Sequence, residues 1–214
     1  TSDAESQPED SSAQVPSSSL IADFDSLTPY INAYWDDASS SRITCATSTE
    51  FADSGSSSLK IDFDVTPGAW ATCVLSFDSV QNWSNGDGLS FHIHANQAGV
   101  PYDINVYTGM DDTRETYLDS ASVPADSVNG WADVQIPWNE FHRADWEADA
   151  GAVFNKPDQI HEIAFGFNGF DATNNTGMIW VDDVQIMGRE SIPPDIQPTE
   201  EAGDQSDHAP VLPC

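Results

Sequence analysis

Short runs of alternating apolar and polar residues are the feature that most limits how this chain can fold. In the stretch 88–95, four apolar residues alternate with Ser90, His92 and His94, and the stretch 58–65 has the same pattern. No run with helical period is longer than about two turns. An alternation with period two puts one side of a strand in a core and the other in water, so the middle of the chain is predicted to be β-sheet.

Ten strands are predicted between turn signals rich in Gly, Pro and Asn. They span residues 20–25, 42–48, 58–65, 69–77, 88–95, 102–109, 115–118, 131–138, 159–168 and 178–187. Because most patterns have one apolar face, the strands are expected to pair antiparallel and to pack as two layers. The predicted fold class is therefore all-β, a two-sheet antiparallel β-sandwich (jelly roll) with irregular N- and C-terminal tails.

The two ends of the chain differ from this middle part. Residues 1–19 and 189–214 are dominated by Ser, Pro, Gln and acidic residues. They carry too little apolar area to offset the entropy that ordering would cost. We predict a linker or arm at 1–19, a jelly-roll domain at 20–188 and a second linker or arm at 189–214, which is typical of modules in secreted proteins. The expected location is extracellular or at the cell surface.

The charge of the chain limits its partners. The sequence has 36 acidic and 6 basic residues and a formal net charge of −30. Such a surface repels nucleic acid and anionic lipid, so neither is expected as a partner. No uninterrupted apolar run approaches the roughly 18 residues of a membrane helix, and no membrane insertion is predicted.

Three cysteines allow one disulfide and leave one cysteine over. Cys45 and Cys73 each lie in a predicted strand, where a disulfide between neighbouring strands and two buried thiols both fit the sequence. Cys214 lies in the C-terminal tail and could pair between molecules. Acceptor triplets for N-glycans begin at Asn82 and Asn174.

The sequence has no complete catalytic motif. His92 and His94 project from the same side of a predicted strand and, with Gly86, resemble the first half of a cupin metal motif. No Glu follows at the required spacing, and no second half appears downstream. A nucleophile elbow, a metalloprotease helix, a phosphate-binding loop and a CxxC pair are also absent from the sequence. We therefore predict no enzyme, although the domain could be one module of a larger glycoside hydrolase or lyase.

A different set of motifs runs through the whole middle region. They are Ala22-Asp23-Phe24-Asp25, Ser58-Leu59-Lys60-Ile61, and the runs at 129–138, 141–146, 160–167 and 179–186. In this order they resemble the galactose-binding-like jelly roll of carbohydrate-binding modules. The resemblance is greatest to family 11 modules of bacterial glucanases, with the complex I intermediate-associated protein family as a related group, and it covers nearly all of residues 20–188.

This resemblance implies that a β-glucan chain binds in an aromatic cleft on the concave sheet. The positions that match the family's cleft are Arg143, Asp145 and Trp146, then Tyr34 or Trp35, Trp70, Phe167, Asp111 or Asp112, and His161. Aromatic faces beside charged hydrogen-bonding groups suit a neutral polyol. From the residues alone, Trp70 and Phe167 fit a core as well as a cleft, and Arg143 with Asp145 fits a surface ion pair.

The resemblance also implies a structural calcium ion where the first and last strands meet. Asp25 and Asp182 match its carboxylate ligands, with Asp23 and Asp183 as candidates for further ligands. Carbonyl groups of the 53–58 loop would bring the shell to six or more oxygens. An exposed Asp pair is the alternative, although carboxylates in the otherwise apolar last strand need a compensating charge.

The predicted function is a non-catalytic, calcium-stabilised carbohydrate-binding module of an exported protein, with a β-glucan-type polysaccharide as its partner. The main alternative is a structural subunit of an extracellular fibre or sheet, in which the tails and Cys214 link copies by self-association. For an enzyme on the same fold, no catalytic base can be named. An intracellular assembly chaperone conflicts with the exported character of the tails.

Overall fold

The structure is a computed structural model that describes residues 19–169 and 173–188. Its strands are β1 (Leu20–Ala22), β2 (Tyr30–Trp35), β3 (Arg42–Ser48), β4 (Ser58–Val65), β5 (Trp70–Gln81), β6 (Gly88–Ala95), β7 (Pro101–Thr108), β8 (Glu115–Ser122), β9 (Ala132–Pro137), β10 (His142–Arg143), β11 (Ile160–Asn168) and β12 (Asn175–Met187). One-turn 3-10 helices lie at Asp111–Thr113, Asp126–Val128 and Trp138–Glu140. The predicted tails, apart from Ser19, lie outside the described residues.

The strands form two antiparallel sheets that pack face to face, which confirms the predicted β-sandwich. The front sheet has the order β10-β8-β7-β11-β5-β2. The back sheet has the order β3-β4-β12-β6-β9, and β1 pairs with β12. Each sheet therefore has one side in the core and one outer side.

Aromatic pairs between the two sheets hold the core together. Phe91 of the back sheet meets Phe165 of the front sheet edge to face, with ring centroids 5.3 Å apart. Phe63 stacks on Phe167 with centroids 3.8 Å apart. All four rings are buried, and each buried ring of this size stabilises the fold by about 1.5–3 kcal/mol relative to an exposed one.

Cys45 and Cys73 form a disulfide with Cα atoms 6.0 Å apart. Cys45 lies in β3 of the back sheet and Cys73 in β5 of the front sheet. Of the two alternatives that the sequence left open, the structure therefore has the disulfide, and the bridge joins the two layers of the sandwich rather than neighbouring strands of one sheet. Cys214 lies outside the described residues.

Two strands, β2 and β10, were not predicted, and both lie at the edges of the front sheet. The sequence of β2, YINAYW, has no clear alternation, and its residues are exposed or partly exposed. Strand β10 has only two residues. Both strands bury little of each side chain, so the apolar alternation that reveals the other strands is weak there. Within the described residues, no helix has the length and apolarity that crossing a membrane requires.

Candidate functional site

The outer side of the front sheet presents three rows of side chains that cross β2, β5, β11, β7 and β8. The first row is Tyr34, Thr72, Gly166, Asp103 and Ser120; the second is Asn32, Val74, Ala164, Asn105 and Leu118; the third is Tyr30, Ser76, Glu162, Tyr107 and Thr116. We call this surface, with Trp70 and Asn168 beside the first row, the front face. Residues between these positions, such as Phe165 and Ile104, point into the core.

The middle of the front face is a low floor of small side chains. Val74 and Ala164 are buried there beside Gly166. A Cβ atom on Gly166 would lie 2.9 Å from Nδ2 of Asn105, so the Asn105 amide lies across the glycine. Within the described part of the chain, this amide makes no hydrogen bond. The floor therefore offers an amide donor and acceptor above a strip of small residues.

Large exposed rings stand at one edge of this floor. Tyr30, Tyr34 and Trp70 are 65%, 52% and 46% exposed. They come from β2 and from the first residue of β5, and Trp70 lies opposite Asn168 in the sheet. Grouped exposed rings of this kind mark interaction surfaces more often than isolated ones do.

An ion pair and a tyrosine ring lie along the third row of the front face. The Arg114 guanidinium carbon lies 4.1 Å from the centroid of the Tyr107 ring, and Nη2 of Arg114 donates to Oε2 of Glu162 at 2.6 Å. Oε1 of Glu162 accepts from the Ser76 hydroxyl at 2.8 Å. Burial raises the pKa of the Tyr107 hydroxyl, and the Arg114 charge opposes this only in part. Tyr107 is thus a neutral phenol held in place by a cation–π contact.

Asp103 is a fixed carboxylate on the same face. Its Oδ1 accepts from the Ser120 hydroxyl and its Oδ2 from the Asn168 amide, both at 2.6 Å. Desolvation raises the pKa of Asp103, and the two hydrogen bonds oppose that shift. Each carboxylate oxygen has a second lone pair, so Asp103 can accept further hydrogen bonds from a ligand.

Arg143, the first predicted binding residue, forms ion pairs and hydrogen bonds with other side chains of the protein. Its Nε donates to Glu147, its Nη1 lies 2.9 Å from Oε2 of Glu115, and it also donates to the Tyr117 hydroxyl. Lys156 lies 2.6 Å from the same Glu115 oxygen. Only 12% of the Arg143 side chain is exposed. The structure therefore places Arg143 in an ion-pair network beside the front face, and its contact with a ligand stays a prediction.

Asp145 and Trp146 lie in the turn that follows β10, and both are exposed; Trp146 is 71% exposed. The turn is attached to β8 because the Ala144 amide donates to the Thr116 carbonyl at 3.0 Å. Thr116 ends the third row of the front face, so Trp146 stands beside the edge opposite to Tyr34 and Trp70.

The other residues predicted to line the cleft lie in different parts of the structure. Phe167 is 0% exposed and belongs to the core, so the prediction that its ring meets a ligand is wrong. Trp35 points to the other side of β2 from Tyr34, because alternate residues of a strand face opposite sides. Asp112 is exposed in the 3-10 turn after β7, and His161 lies at a register shift in β11. Tyr34 and Trp70 are thus the predicted rings that the structure brings together.

Asp182, predicted as a metal ligand, is fully buried. Its Oδ2 accepts from the amides of Asp53 and Ser54 at 2.9 and 3.3 Å, and its Oδ1 accepts from the amide of Asp183. Burial raises the pKa of Asp182, and these three amide donors oppose the shift. Asp182 therefore fastens the 53–54 segment to β12.

Asp25 and Asp23 are also bonded to nearby donors. Asp25 accepts from the hydroxyls of Ser56 and Ser57 and from the Ser56 amide, which lowers its pKa to about 2. Asp23 accepts from three amides of its own turn. Among the described residues, the one group whose metal-binding atoms all lie within 4.8 Å of one another is Asp53, His92 and Asp183. The structure thus does not assemble the predicted set of four, and calcium binding stays a prediction.

Several front-face residues were not identified from the sequence, chiefly Asn105, Tyr107, Arg114 and Glu162. The alternation in Pro101–Thr108 is enough to place Asp103, Asn105 and Tyr107 on one side of a strand. The pairing of β7 with β11 and β8, which the sequence does not reveal, is what brings that side into the face.

No family model matches the sequence, and no curated protein matches it either. Solved structures do match. A family 11 carbohydrate-binding module from Clostridium thermocellum, in complex with a β-1,3-1,4-mixed-linked tetrasaccharide, aligns with a TM-score of 0.64 at 15% identity and covers 81% of this chain and 97% of that chain. A family 30 carbohydrate-binding module of a cellulosomal cellulase from the same organism aligns with a TM-score of 0.55 at 14% identity, over 79% of this chain and 96% of that chain.

An exo-β-agarase aligns with a TM-score of 0.53 at 13% identity, over 84% of this chain but only 26% of the agarase. At these identities the likeness establishes the fold. The chain has the β-sandwich fold of family 11 modules, as the sequence motifs predicted.

Proposed function

We propose that this domain is a non-catalytic carbohydrate-binding module of an exported protein, and that a neutral β-glucan-type chain binds across its front face. The observation that carries this proposal is the floor at Val74, Ala164 and Gly166 flanked by the exposed rings of Tyr34 and Trp70. Sugar rings present apolar CH faces that pack on aromatic rings and hydroxyls that bind amides and carboxylates.

The dimensions and charge of the front face favour an extended neutral ligand. Six strands about 4.8 Å apart give a width of about 24 Å, which accommodates several sugar units. The polar groups along this width are the Asn105 amide, the Asp103 carboxylate and the Tyr107 hydroxyl. A polyanionic polysaccharide is disfavoured because the chain carries a net charge of −30 and the Arg114 cation is already paired with Glu162.

Other observations support the remaining parts of the proposal. The structure of the family 11 module named above contains a mixed-linked glucan oligosaccharide. The carboxylates on the front face, Asp103 and Glu162, are each held by two partners, which suits binding better than proton transfer. A disulfide between the sheets favours an oxidising compartment.

Affinity electrophoresis in gels that contain soluble mixed-linkage β-glucan, xylan or alginate tests the proposal. We expect the β-glucan gel to retard the protein and the alginate gel not to retard it. The double variant Tyr34→Ala/Trp70→Ala should lose the retardation because it removes both rings. Phe51→Ala is the matched control, since Phe51 is 40% exposed on the opposite side of the sandwich.

Three results would contradict the proposal. The first is the absence of retardation in every neutral polysaccharide, and the second is equal retardation of the double variant and the wild-type protein. The third concerns the non-catalytic part: release of new reducing ends from a glucan would show that the domain cleaves its ligand.

A further inference from the structure

A histidine and three aspartates converge on the outer side of the back sheet, far from the floor of the front face. His92 of β6 lies between two strands, with Asp182 of β12 and Asp133 of β9 as its neighbours in register. Asp183 follows Asp182 where the register of β12 and β6 shifts. Asp53 approaches from the loop between β3 and β4.

The distances define a three-atom group on one side of the imidazole. Nδ1 of His92 and Oδ2 of Asp53 form a hydrogen bond of 2.5 Å, and Nδ1 lies 3.7 Å from Oδ2 of Asp183. All three atoms lie within 4.8 Å of one another. A tetrahedral ion with bonds of about 2.0 Å needs ligand atoms about 3.3 Å apart, so an ion would replace the His92–Asp53 hydrogen bond and side-chain rotations would bring the three atoms to that spacing.

The other imidazole nitrogen faces a carboxylate. Oδ1 of Asp133 lies 4.0 Å from Nε2 of His92, which is within ion-pair range but longer than a hydrogen bond. Metal-binding histidines commonly donate the proton of the far nitrogen to a carboxylate, which leaves the near nitrogen to bind the metal. A small rotation of Asp133 would give it this role, with Nδ1 as the nitrogen that binds the ion.

The backbone holds the group in place. Buried Asp182 binds the amides of Asp53 and Ser54, and the Ser54 hydroxyl donates to Oδ1 of Asp183 at 2.9 Å. These bonds attach the 53–54 segment to β12 without using the Oδ2 atoms of Asp53 and Asp183. The candidate ligand atoms are therefore positioned by other contacts and remain directed at Nδ1 of His92.

We propose that Asp53, His92 and Asp183 form a binding site for a divalent cation of the Zn²⁺ type, with Asp133 as the residue that orients His92. One nitrogen and two carboxylate oxygens, with a fourth position open to water, suit Zn²⁺. Calcium takes six to eight oxygen ligands and is not served by this group. A bound ion would join the 53–54 loop, β6 and β12, and this role does not depend on glucan binding at the front face.

Titration of the full chain with Zn²⁺, followed by isothermal calorimetry and by competition with a chromophoric chelator, tests the site. All measurements use a Cys214→Ser background, because a tail thiol could bind Zn²⁺ by itself. We expect one ion per chain and a Zn²⁺-dependent rise in Tm. An equal concentration of Ca²⁺ should not displace the ion.

Variants separate a metal site from a simple His–Asp ion pair. Asp53→Asn, His92→Gln and Asp183→Asn should each weaken Zn²⁺ binding by more than the about 10–100-fold that loss of an orienting carboxylate costs, and Asp133→Asn should fall in that range. His142→Gln, an exposed histidine on the front sheet, is the control and should bind as the wild type does. Asp53→Asn changes an exposed loop residue, so it tests the site even where His92→Gln does not fold.

Three results would overturn the proposal: no saturable Zn²⁺ binding, equal binding by wild type and the folded Asp53→Asn variant, or displacement of Zn²⁺ by Ca²⁺ at equal concentration. Glucan retardation of the metal-free protein is measured in parallel. Its loss or retention reports on the front face alone, so the two proposals can fail separately.

Discussion

The same alternation of residues builds both outer sides of the sandwich, but exposed rings stand on the front side and a loop packs on the back side. On the front face, the rings of Tyr34 and Trp70 remain exposed at the edge of a floor of small residues. On the back sheet, Phe51 of the β3–β4 loop packs on His94 and Trp180, with ring centroids 4.4 and 4.8 Å apart. Exposed rings are thus left at the edge of one side, while rings on the other side are used to hold a loop.

The polar groups of the two sides differ in the same way. The Asn105 amide on the front floor makes no hydrogen bond within the described chain. Nδ1 of His94 on the back lies 2.7 and 2.8 Å from the carbonyl oxygens of Ser127 and Gly130. Period-two alternation therefore predicts which residues face outward, and the connecting loops decide whether those residues stay open to solvent or bind the protein itself.

The largest expected effect concerns Phe167, which the sequence allowed on either side of the front sheet. Phe167→Ala should lower the free energy of unfolding by about 3–5 kcal/mol, because the ring is buried and stacked on Phe63. Denaturant unfolding measures this change, and the folded variant should still bind glucan. Unchanged stability with lost binding would instead place the ring in the cleft.

Removal of the disulfide should affect both sides at once, because the bridge joins the sheets that carry them. Cys45→Ala/Cys73→Ala is expected to lower the free energy of unfolding by about 2–4 kcal/mol, mainly by freeing the unfolded chain. Guanidinium unfolding without reductant measures this difference. Cys214→Ala serves as the control, and an equal loss in that variant would contradict the role of the bridge.

A side chain added to the floor should affect the front face alone. Gly166→Val is expected to weaken glucan binding by about tenfold, or about 1.4 kcal/mol, because the new methyl groups would occupy the groove. The nearest obstacle is the movable amide of Asn105, so the fold should tolerate the change. Gly130→Val is the matched control at the back, where an added Cβ meets nothing within 4 Å. Equal binding by the two variants would show that the floor is not the site.

The smallest expected effect is a pH dependence of the stability of the fold, which comes from Glu115 near the edge of the front sheet. Burial disfavours the Glu115 charge, but bonds from Lys156 and Arg143 outweigh this and lower its pKa from 4.5 to about 2. Because the folded-state pKa is the lower one, the ionised carboxylate stabilises the fold above about pH 4.5, and this stabilisation is lost as the pH falls toward 2.

Glu115→Gln should therefore lower Tm at pH 7, and the difference from the wild type should shrink as the pH approaches 2. Thermal melts across this range measure it, with the exposed Asp149→Asn as control. A constant difference at every pH would assign the effect to lost packing rather than to lost charge.

The sequence predicts the central strands well because each has one apolar side that must be buried. Strands β4 and β6 begin and end where the alternation does. The sequence predicts the candidate site less well, because the order of strands in the sheet decides which side chains meet on the front face. Tyr107 and Glu162 are distant in sequence and become neighbours only when β7 pairs with β11.

The family resemblance has the same limit. The structure leaves Tyr34 and Trp70 exposed on the front face, where their contact with a ligand stays a prediction. The resemblance was wrong for Phe167, which is buried in the core, and it did not predict the protein partners of Arg143. The Arg143 guanidinium is taken up by Glu115 and Glu147, and no motif centred on Arg143 alone reveals these partners.

The first and last strands lie side by side in the back sheet, where Leu20 opposes Gln185 and the Ile186 amide donates to the Ser19 carbonyl at 2.8 Å. The described domain is therefore entered and left at nearly the same point, in the layer opposite the front face. A domain with adjacent ends can be spliced into a loop of another protein with little distortion. The polypeptide would then join its host at one place on the back sheet, and the front face would stay clear of both junctions.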